Sequence, residues 1–238
     1  MLGRDGDRLA AMRILAIDTA LEACSAAVLD TEQGGISVHE TLPMVRGHAE
    51  ALIPMIARVM DRARLGYSDL DRIAVTTGPG SFTGLRVGIA AARGIALATG
   101  KSAVGLSTLA AYAAPLIAAD DSLPVVAVVD ARHDHVYLQA FGPGGRTLVT
   151  ARLVTLREAL RFAATGAPRL IGTGAKLLAA SWPPAERAPN AVDPLGAPDI
   201  EWVARLGAAA TDTNTPPKPL YLRAPDAQPQ NAAQLARR

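Results

Sequence analysis

One order of elements occurs twice along the chain, and it limits the fold more than any other feature of the sequence. Three short runs rich in β-forming residues are followed by a helical segment, a further strand and a second helix. The first copy covers about residues 13–105 and the second about residues 123–182. Because strands that alternate with helices form mixed sheets covered by helices, this order predicts an α/β fold built from two related lobes.

The residue patterns place these elements along the chain as follows. In the first copy we predict strands at 14–18, 24–30, 36–42 and 73–77, and helices at about 48–64 and 82–100. In the second copy we predict strands at 125–130, 136–141, 148–154 and 170–172, and helices at 156–165 and 175–181. A strand near Val104, a helix at 109–118 and a last helix at 199–210 complete the set. Thr155 and Glu158 have the spacing of a capping box at the start of one of these helices.

Length and composition agree with two lobes. The chain has 238 residues, half of them hydrophobic, which is enough for two cores of about 100 residues each. We predict a disordered leader at 1–12, an N-terminal lobe at 13–105, a C-terminal lobe at 106–225 and a flexible tail at 226–238.

Charge, aromatic content and cysteine usage exclude several classes of function. There are 24 basic and 22 acidic side chains, and aromatic residues make up 4% of the chain, so neither an extended phosphate-binding face nor a base-stacking sheet is expected. The single cysteine, Cys24, excludes an internal disulfide and a multi-cysteine zinc site. The uncharged stretch at 102–119 is interpreted as a strand and a buried helix, not as a membrane span. We therefore expect a cytoplasmic protein.

The glycine-rich segment at 78–86, with the sequence GPGSFTGLR, follows an apolar strand and opens a helix. At such a junction backbone N–H groups cluster and favour an anion. Ser81 or Thr83 would cap the helix, and Arg86 would reach back over a phosphate. It is not a Walker loop, since no Lys-Ser/Thr pair follows the last glycine. The alternative is a tight structural turn in which the glycines permit left-handed backbone angles.

Two aspartates end strands that could face a cleft between the lobes. Asp18 ends the first strand, and Asp130 ends the apolar strand of the second half. A carboxylate there could hold hydrated magnesium against a nucleotide, but an aspartate that only accepts bonds from local turn N–H groups is as common. The residues predicted for a vestigial nucleotide or anion loop are Asp18, Thr19, Gly78, Gly80, Ser81, Thr83 and Asp130.

No pattern of metal ligands emerges from the histidines. His133 and His135 flank Asp134 in a predicted hairpin, where solvated side chains are expected. Residue 52, four positions after His48, is Leu52, so a helical two-histidine metal face is not formed. We expect Cys24 to serve as small core packing.

Two helical segments carry very few charges. Within 82–99 only Arg86 and Arg93 are charged, and within 49–57 only Glu50 is. A helix that is apolar on more than one face is buried on more than one face, so either a partner or the second lobe should cover the side that the first sheet leaves free. The residues predicted for a partner interface, including a strip of small side chains, are His48, Leu52, Ile53, Ile56, Gly84, Arg86, Gly88, Ala91 and Ala92.

Taken in order, several of these segments resemble one family. The segments are ILAIDT at 14–19, CS at 24–25, HAE at 48–50, LIPMI at 52–56, GPGSFTGLRVG at 78–88, DAR at 130–132, VY at 136–137 and PLYLR at 219–223. They are similar to those of TsaB, also called YeaZ, a component of the bacterial tRNA threonylcarbamoyladenosine system. The resemblance spans about residues 13–225, and the long glycine-rich match is its most specific part.

The resemblance implies a fold of the actin, Hsp70 and sugar-kinase (ASKHA) type. It also implies a non-catalytic subunit that pairs with the related catalytic subunit TsaD and, together with the ATPase TsaE, supports modification of adenosine 37 of tRNA. The first two helices would form the dimerisation face, in a homodimer when the chain is alone and in a heterodimer in the complex. It implies no intrinsic cofactor, with ATP and metal handled by the partner subunits, contact with tRNA only through the complex, and no membrane association.

Two other classes remain open on the residues alone. One is an ATP-dependent kinase or ATPase of the same fold that uses Asp18, Asp130 and the Gly78 loop. The other is a metallopeptidase of the M22 type, although the ligands for its metal are not evident in the sequence.

Overall fold

The computed structural model of the chain describes residues 11–32, 35–164, 166–212 and 215–223. Its first sheet has five strands in the order β3-β2-β1-β4-β5. The strands are β1 (Arg13–Asp18), β2 (Ala23–Asp30), β3 (Gly35–Pro43), β4 (Arg72–Gly78) and β5 (Ser102–Ser107). β1 to β3 pair antiparallel, whereas β4 and β5 run parallel to β1. Helices α1 (His48–Ala63) and α2 (Phe82–Thr99) cover one face of this sheet, and we call the sheet with these two helices lobe 1.

The central strand β1 explains why this sheet needs cover on both faces. Its side chains alternate with the period of two that a strand imposes. Leu15 and Ile17 pack in the core beneath α1 and α2, whereas Ile14 and Ala16 pack in a second core on the other face. A strand that is apolar on both sides is typical of a sheet with helices on both faces.

The second sheet repeats this topology. The strands are β6 (Val125–Asp130), β7 (His135–Phe141), β8 (Thr147–Thr155), β9 (Arg169–Ile171) and β10 (Ala191–Asp193). Their order is β10-β9-β6-β7-β8, so β6 takes the central place that β1 has in the first sheet, and β10 lies outside β9 as β5 lies outside β4. Helices α4 (Leu156–Ala163) and α5 (Ala175–Ala180) pack on one face of it, and we call this sheet with these two helices lobe 2.

Two further helices lie between the sheets. α3 (Thr108–Ala119) follows β5 along the chain but packs on the second sheet, with Leu109 and Tyr112 in its core. α6 (Ile200–Ala209) follows β10 but packs on the first sheet, with Val203 and Ala204 in its core. The chain therefore returns to lobe 1 after it has completed lobe 2.

The duplicated strand order confirms the predicted α/β fold with two related mixed sheets flanked by helices. β10 was not predicted, because three residues between proline-containing segments are too few to show an alternating pattern. Most of the predicted leader and all of the predicted tail lie outside the described residues. Within the described ranges no helix is both long and apolar enough to cross a bilayer.

Candidate functional site

Asp18 lies at the carboxyl end of β1 and is fully buried. Its Oδ1 atom accepts hydrogen bonds from the Thr76 hydroxyl and from the backbone N–H of Ala20, the latter at 3.1 Å. Its Oδ2 atom has no hydrogen-bond partner among the described residues. Burial raises the pKa of this carboxyl to about 6, although the bonds from Thr76 and Ala20 and the proximity of His48 act in the opposite direction. The carboxyl is thus enclosed by its own chain.

The glycine-rich loop after β4 packs directly onto the residues that follow Asp18. Gly80 lies so close that a Cβ atom there would be 2.3 Å from the carbonyl oxygen of Ala20, and the N–H of Ser81 donates to that oxygen at 2.7 Å. A Cβ atom on Gly84 would be 2.1 Å from the carbonyl oxygen of Thr19. These glycines are required by close packing, because any larger side chain would overlap backbone atoms.

The N–H groups at the start of α2 are also partly used within the chain. Ser81 caps the helix and its Oγ atom accepts a hydrogen bond from the N–H of Gly84 at 3.3 Å. Gly78 has a φ of +120°, which a glycine adopts without strain. Of the two interpretations of this segment, the geometry favours the structural turn over an open anion cradle.

The strip of small residues on α2 does not face outward, which corrects the interface predicted from the sequence. Gly84, Gly88 and Ala92 are buried against lobe 1, and the Oγ1 atom of Thr19 donates to the carbonyl oxygen of Gly84 at 2.7 Å. A Cβ atom on Gly88 would be 2.5 Å from that Oγ1 atom. The small side chains therefore allow α2 to approach the end of β1, not a partner helix.

Three more of the predicted interface residues also face inward: His48, Leu52 and Ile56 are buried on α1. Sequence periodicity could not decide this, since apolar residues occur on the inner and the outer face of each helix. The predicted residues that remain outside are Ile53 and Arg86, which are exposed, and Ala91, which is half-buried.

The outer faces of α1 and α2 nevertheless expose apolar side chains. Leu97 is 87% exposed and Ile53 is 55% exposed. Arg58 and Arg62 of α1 pair with Glu40 of β3. The other exposed apolar residues of the two helices are Ala49, Pro54, Ala57, Phe82, Ala90, Gly94 and Ala98. Of all these we call Ile53, Ala57, Ala90, Gly94, Leu97 and Ala98 the outer face.

Asp130 occupies the position in lobe 2 that Asp18 occupies in lobe 1, but it is exposed. Its Oδ1 atom accepts a hydrogen bond from the N–H of Arg132 at 2.7 Å, as expected for the local-turn interpretation. Its own N–H donates to the hydroxyl of Thr173 at 3.0 Å. Gly174 packs so closely that a Cβ atom would be 3.2 Å from the Asp130 nitrogen. The Gly-Thr-Gly turn at 172–174 that meets Asp130 was missed from the sequence, although its two glycines directly after β9 could have signalled it.

The β6–β7 hairpin beyond Asp130 contains three consecutive residues with positive φ, namely Arg132, His133 and Asp134. His133 is exposed and His135 is half-buried, with its Nδ1 atom 2.6 Å from the carbonyl oxygen of His133.

Throughout the part of the chain that the structure describes, no group of three or more histidine, cysteine or acidic side chains is arranged to hold a metal ion. Cys24 is buried in the core of lobe 1, as predicted.

Comparison with known proteins agrees with this architecture. The model of the family TsaD, tRNA N6-adenosine threonylcarbamoyltransferase, matches residues 25–180. The chain is 39% identical over 127 residues to the tRNA threonylcarbamoyladenosine biosynthesis protein TsaB of Escherichia coli, a match that spans 53% of this chain and 53% of that protein. It thus spans about half the length of this curated relative. An uncharacterised protein of Mycobacterium tuberculosis is 34% identical over 218 residues, covering 91% of this chain and 94% of that protein.

A solved structure also matches the fold. YeaZ from Pseudomonas aeruginosa superimposes with a TM-score of 0.72 at 29% sequence identity, and the match covers 89% of this chain and all of that one. The fold of this chain is therefore shared with that structure.

Proposed function

The chain belongs to the TsaB (YeaZ) family, and from that premise we propose that it acts in tRNA threonylcarbamoyladenosine biosynthesis as a non-catalytic subunit. Its partner would be the related threonylcarbamoyltransferase subunit TsaD. The observation that carries this proposal is the exposed apolar outer face of α1 and α2.

The outer face has the properties of a docking surface. Leu97 and Ile53 are the most exposed large apolar side chains on these two helices, and α2 carries no acidic residue. Apolar surface of this kind on a folded chain marks a site of association. Docking would remove it from water, and each Å² of apolar area removed contributes about 25 cal/mol against the cost of association.

The enclosed loop supports the non-catalytic part of the proposal. Asp18 is fully buried. Backbone atoms of Thr19 and Ala20 fill the space beside Gly80 and Gly84 in the glycine-rich loop. A catalytic nucleotide site at this position would need that space for phosphate groups. The chain would instead use the loop to hold α2 in place for docking.

The wider set of partners follows from the same assignment. The ATPase TsaE would join the complex formed with TsaD, and tRNA would be bound through the complex. ATP and metal would be handled by the partner subunits, with no cofactor intrinsic to this chain. In the absence of TsaD the outer face would pair with a second copy of the chain.

Reconstitution tests the proposal directly. Purified TsaD, TsaE and tRNA, supplied with ATP and with threonylcarbamoyl adenylate as the donor that releases AMP, should form threonylcarbamoyladenosine in the presence of this chain and not in its absence. Leu97→Asp and Ile53→Asp place a charge on the outer face at exposed positions, so the variants should fold but lose TsaD binding and modification. Leu177→Asp on α5 is the matched control, because Leu177 is also an exposed helix residue but lies on lobe 2.

The proposal would be abandoned on either of two results. One is full tRNA modification by TsaD and TsaE without this chain. The other is nucleotide hydrolysis by the purified chain alone that disappears in Asp18→Asn, since that would place the chemistry in this subunit.

A further inference from the structure

A compact group of exposed side chains lies at the first turns of α2. The ring centroids of Phe82 and Tyr221 are 5.6 Å apart, and the guanidinium carbon of Arg86 lies 3.7 Å from the centre of the Phe82 ring. The Nε atom of Arg86 also donates to the Tyr221 hydroxyl at 3.2 Å. We call Phe82, Arg86 and Tyr221 the ring cluster.

The C-terminal segment at 217–223 brings Tyr221 to this position. The N–H of Leu220 donates to the carbonyl oxygen of Thr77 at the end of β4, at 2.8 Å. Farther along, Arg223 donates to the carbonyl oxygen of Ala131 in the β6–β7 hairpin, at 3.2 Å. The segment is thus attached to lobe 1 on one side of Tyr221 and to lobe 2 on the other, so the ring of Tyr221 is fixed on the surface.

The ring cluster remains largely in contact with solvent. Phe82 is 48% exposed and Tyr221 is 46% exposed. Tyrosine and arginine held rigidly at a surface are the residue types that contribute most to protein interfaces, because little conformational entropy is lost when they are buried. Among the described residues no carboxylate lies within ion-pair distance of Arg86, and Lys218 on the same segment is exposed.

We propose that the ring cluster is a second contact point for the protein that docks on the outer face, and that it takes an acidic segment of that protein. A carboxylate would pair with the terminal nitrogens of Arg86 while the apolar part of the segment covers the rings of Phe82 and Tyr221. The cluster is continuous with the outer face because Phe82 and Arg86 lie on α2 itself. This inference depends on the proposed function, since it names a contact of the same partner.

The geometry favours a protein segment over an unpaired nucleobase. A base would need a free ring face on which to stack, and the ring of Phe82 is already in contact with both Arg86 and Tyr221. An acidic peptide needs the guanidinium group of Arg86 and the exposed parts of the two rings, and Phe82 and Tyr221 are 48% and 46% exposed.

Binding of purified TsaD to single variants tests the inference. Arg86→Ala and Tyr221→Ala should each weaken the affinity at least about 30-fold, as expected for a side chain that dominates an interface. Tyr221→Phe keeps the ring and should change the affinity less than about 3-fold. Arg157→Ala, which removes an exposed arginine from α4 of lobe 2, is the matched control and should bind as the wild type does. Binding should weaken with added salt, and less steeply for Arg86→Ala than for the wild type.

The outcomes separate this inference from the proposed function. Failure of the wild-type chain to bind TsaD overturns both. Binding that is lost in Leu97→Asp but unchanged in Arg86→Ala and Tyr221→Ala overturns only the ring cluster. An effect confined to self-association or to tRNA binding also overturns it, because the occupant would then be a second copy of the chain or RNA. Circular dichroism of each variant establishes that a loss of binding does not reflect unfolding.

Discussion

Lobe 1 covers the outside of its sheet with helices of 16 and 18 residues, whereas the corresponding α4 and α5 of lobe 2 have 8 and 6 residues. The strand order of the two sheets is the same. The duplication has therefore preserved the sheet and its connections, while the helices have diverged in length. The long pair carries Ile53 and Leu97, the most exposed large apolar side chains of the four helices, which is why the proposed docking surface lies on lobe 1.

The two aspartates show a second difference at equivalent positions. Asp18 is fully buried with one oxygen unpaired among the described residues, whereas Asp130 is exposed and bonded to its own turn. In both lobes a glycine turn after the fourth strand packs closely against the end of the first: a Cβ atom would be 2.3 Å from the carbonyl oxygen of Ala20 at Gly80 and 2.4 Å from that of Val128 at Gly172. The close approach of the turn is thus common to both lobes, and the burial of the aspartate is what differs.

In both lobes an arginine at the start of a strand binds the end of one of the two helices between the sheets. Arg72 at the start of β4 donates to the carbonyl oxygens of Gly207 and Ala210 at the end of α6, at 2.9 and 2.7 Å. Arg169 at the start of β9 donates to the carbonyl oxygen of Leu116 near the end of α3, at 2.8 Å. Each arginine satisfies carbonyl groups that a helix end leaves without partners. The two helices between the sheets are therefore attached in equivalent ways.

Substitution of glycines along α2 should have the largest effect and tests which face of the helix is buried. Gly84→Ala should destabilise the chain by about 3 kcal/mol or more, because its Cβ atom would overlap the carbonyl oxygen of Thr19. Gly94→Ala in the same helix meets no atom within 4 Å and should stabilise it by up to about 1 kcal/mol. Chemical denaturation measures both free energies.

The same experiment bears on the comparison of the lobes. Gly174→Ala in lobe 2 should be milder than Gly84→Ala, since its Cβ atom would lie 3.0 Å from a methyl group of Val128, whereas that of Gly84 would lie 2.1 Å from a backbone oxygen. If Gly84→Ala and Gly94→Ala lowered the free energy of unfolding equally, the small residues of α2 would not be buried against β1.

The pH dependence of the free energy of unfolding should reveal the titration of the buried Asp18. The folded-state pKa of Asp18 is raised to about 6 from 3.8, so between these values the folded state binds a proton that the unfolded state has released. The contribution of Asp18 to the free energy of unfolding should therefore be greatest at low pH. It should fall by up to about 3 kcal/mol as the pH rises from 4 to 6. Above that range the contribution is constant.

Asp18→Asn removes the titrating group and should flatten the stability curve between pH 4 and 6. A curve for Asp18→Asn that still falls by the wild-type amount would show that another group is responsible.

The sequence predicted the fold well and the site less well, for a physical reason. Strand alternation and helix periodicity depend on local residues, so the repeated order of elements, the Thr155 capping box and the buried Cys24 were all identified. The direction in which Gly84 and Gly88 face depends on where β1 ends in space, which no local pattern encodes. The ring cluster joins residues 135 positions apart, and its formation required the return of the chain to lobe 1 after lobe 2.

The smallest effect is expected at the helix caps, where the difference in helix length should be visible. Thr155 and Glu158 form a complete capping box on α4, whereas Ser81 caps α2 through one hydrogen bond to Gly84 at 3.3 Å. Thr155→Ala should lower the free energy of unfolding by about 1 kcal/mol and Ser81→Ala by about 0.5 kcal/mol.

Because α4 has only 8 residues, loss of its cap should also unfold this helix locally. The helix α2 should stay folded without its cap, because it has 18 residues and contacts β1 and β4. Hydrogen exchange should then show faster exchange across α4 in Thr155→Ala but little change across α2 in Ser81→Ala. Equal protection of both helices would contradict the view that lobe 2 depends on local capping where lobe 1 depends on packing.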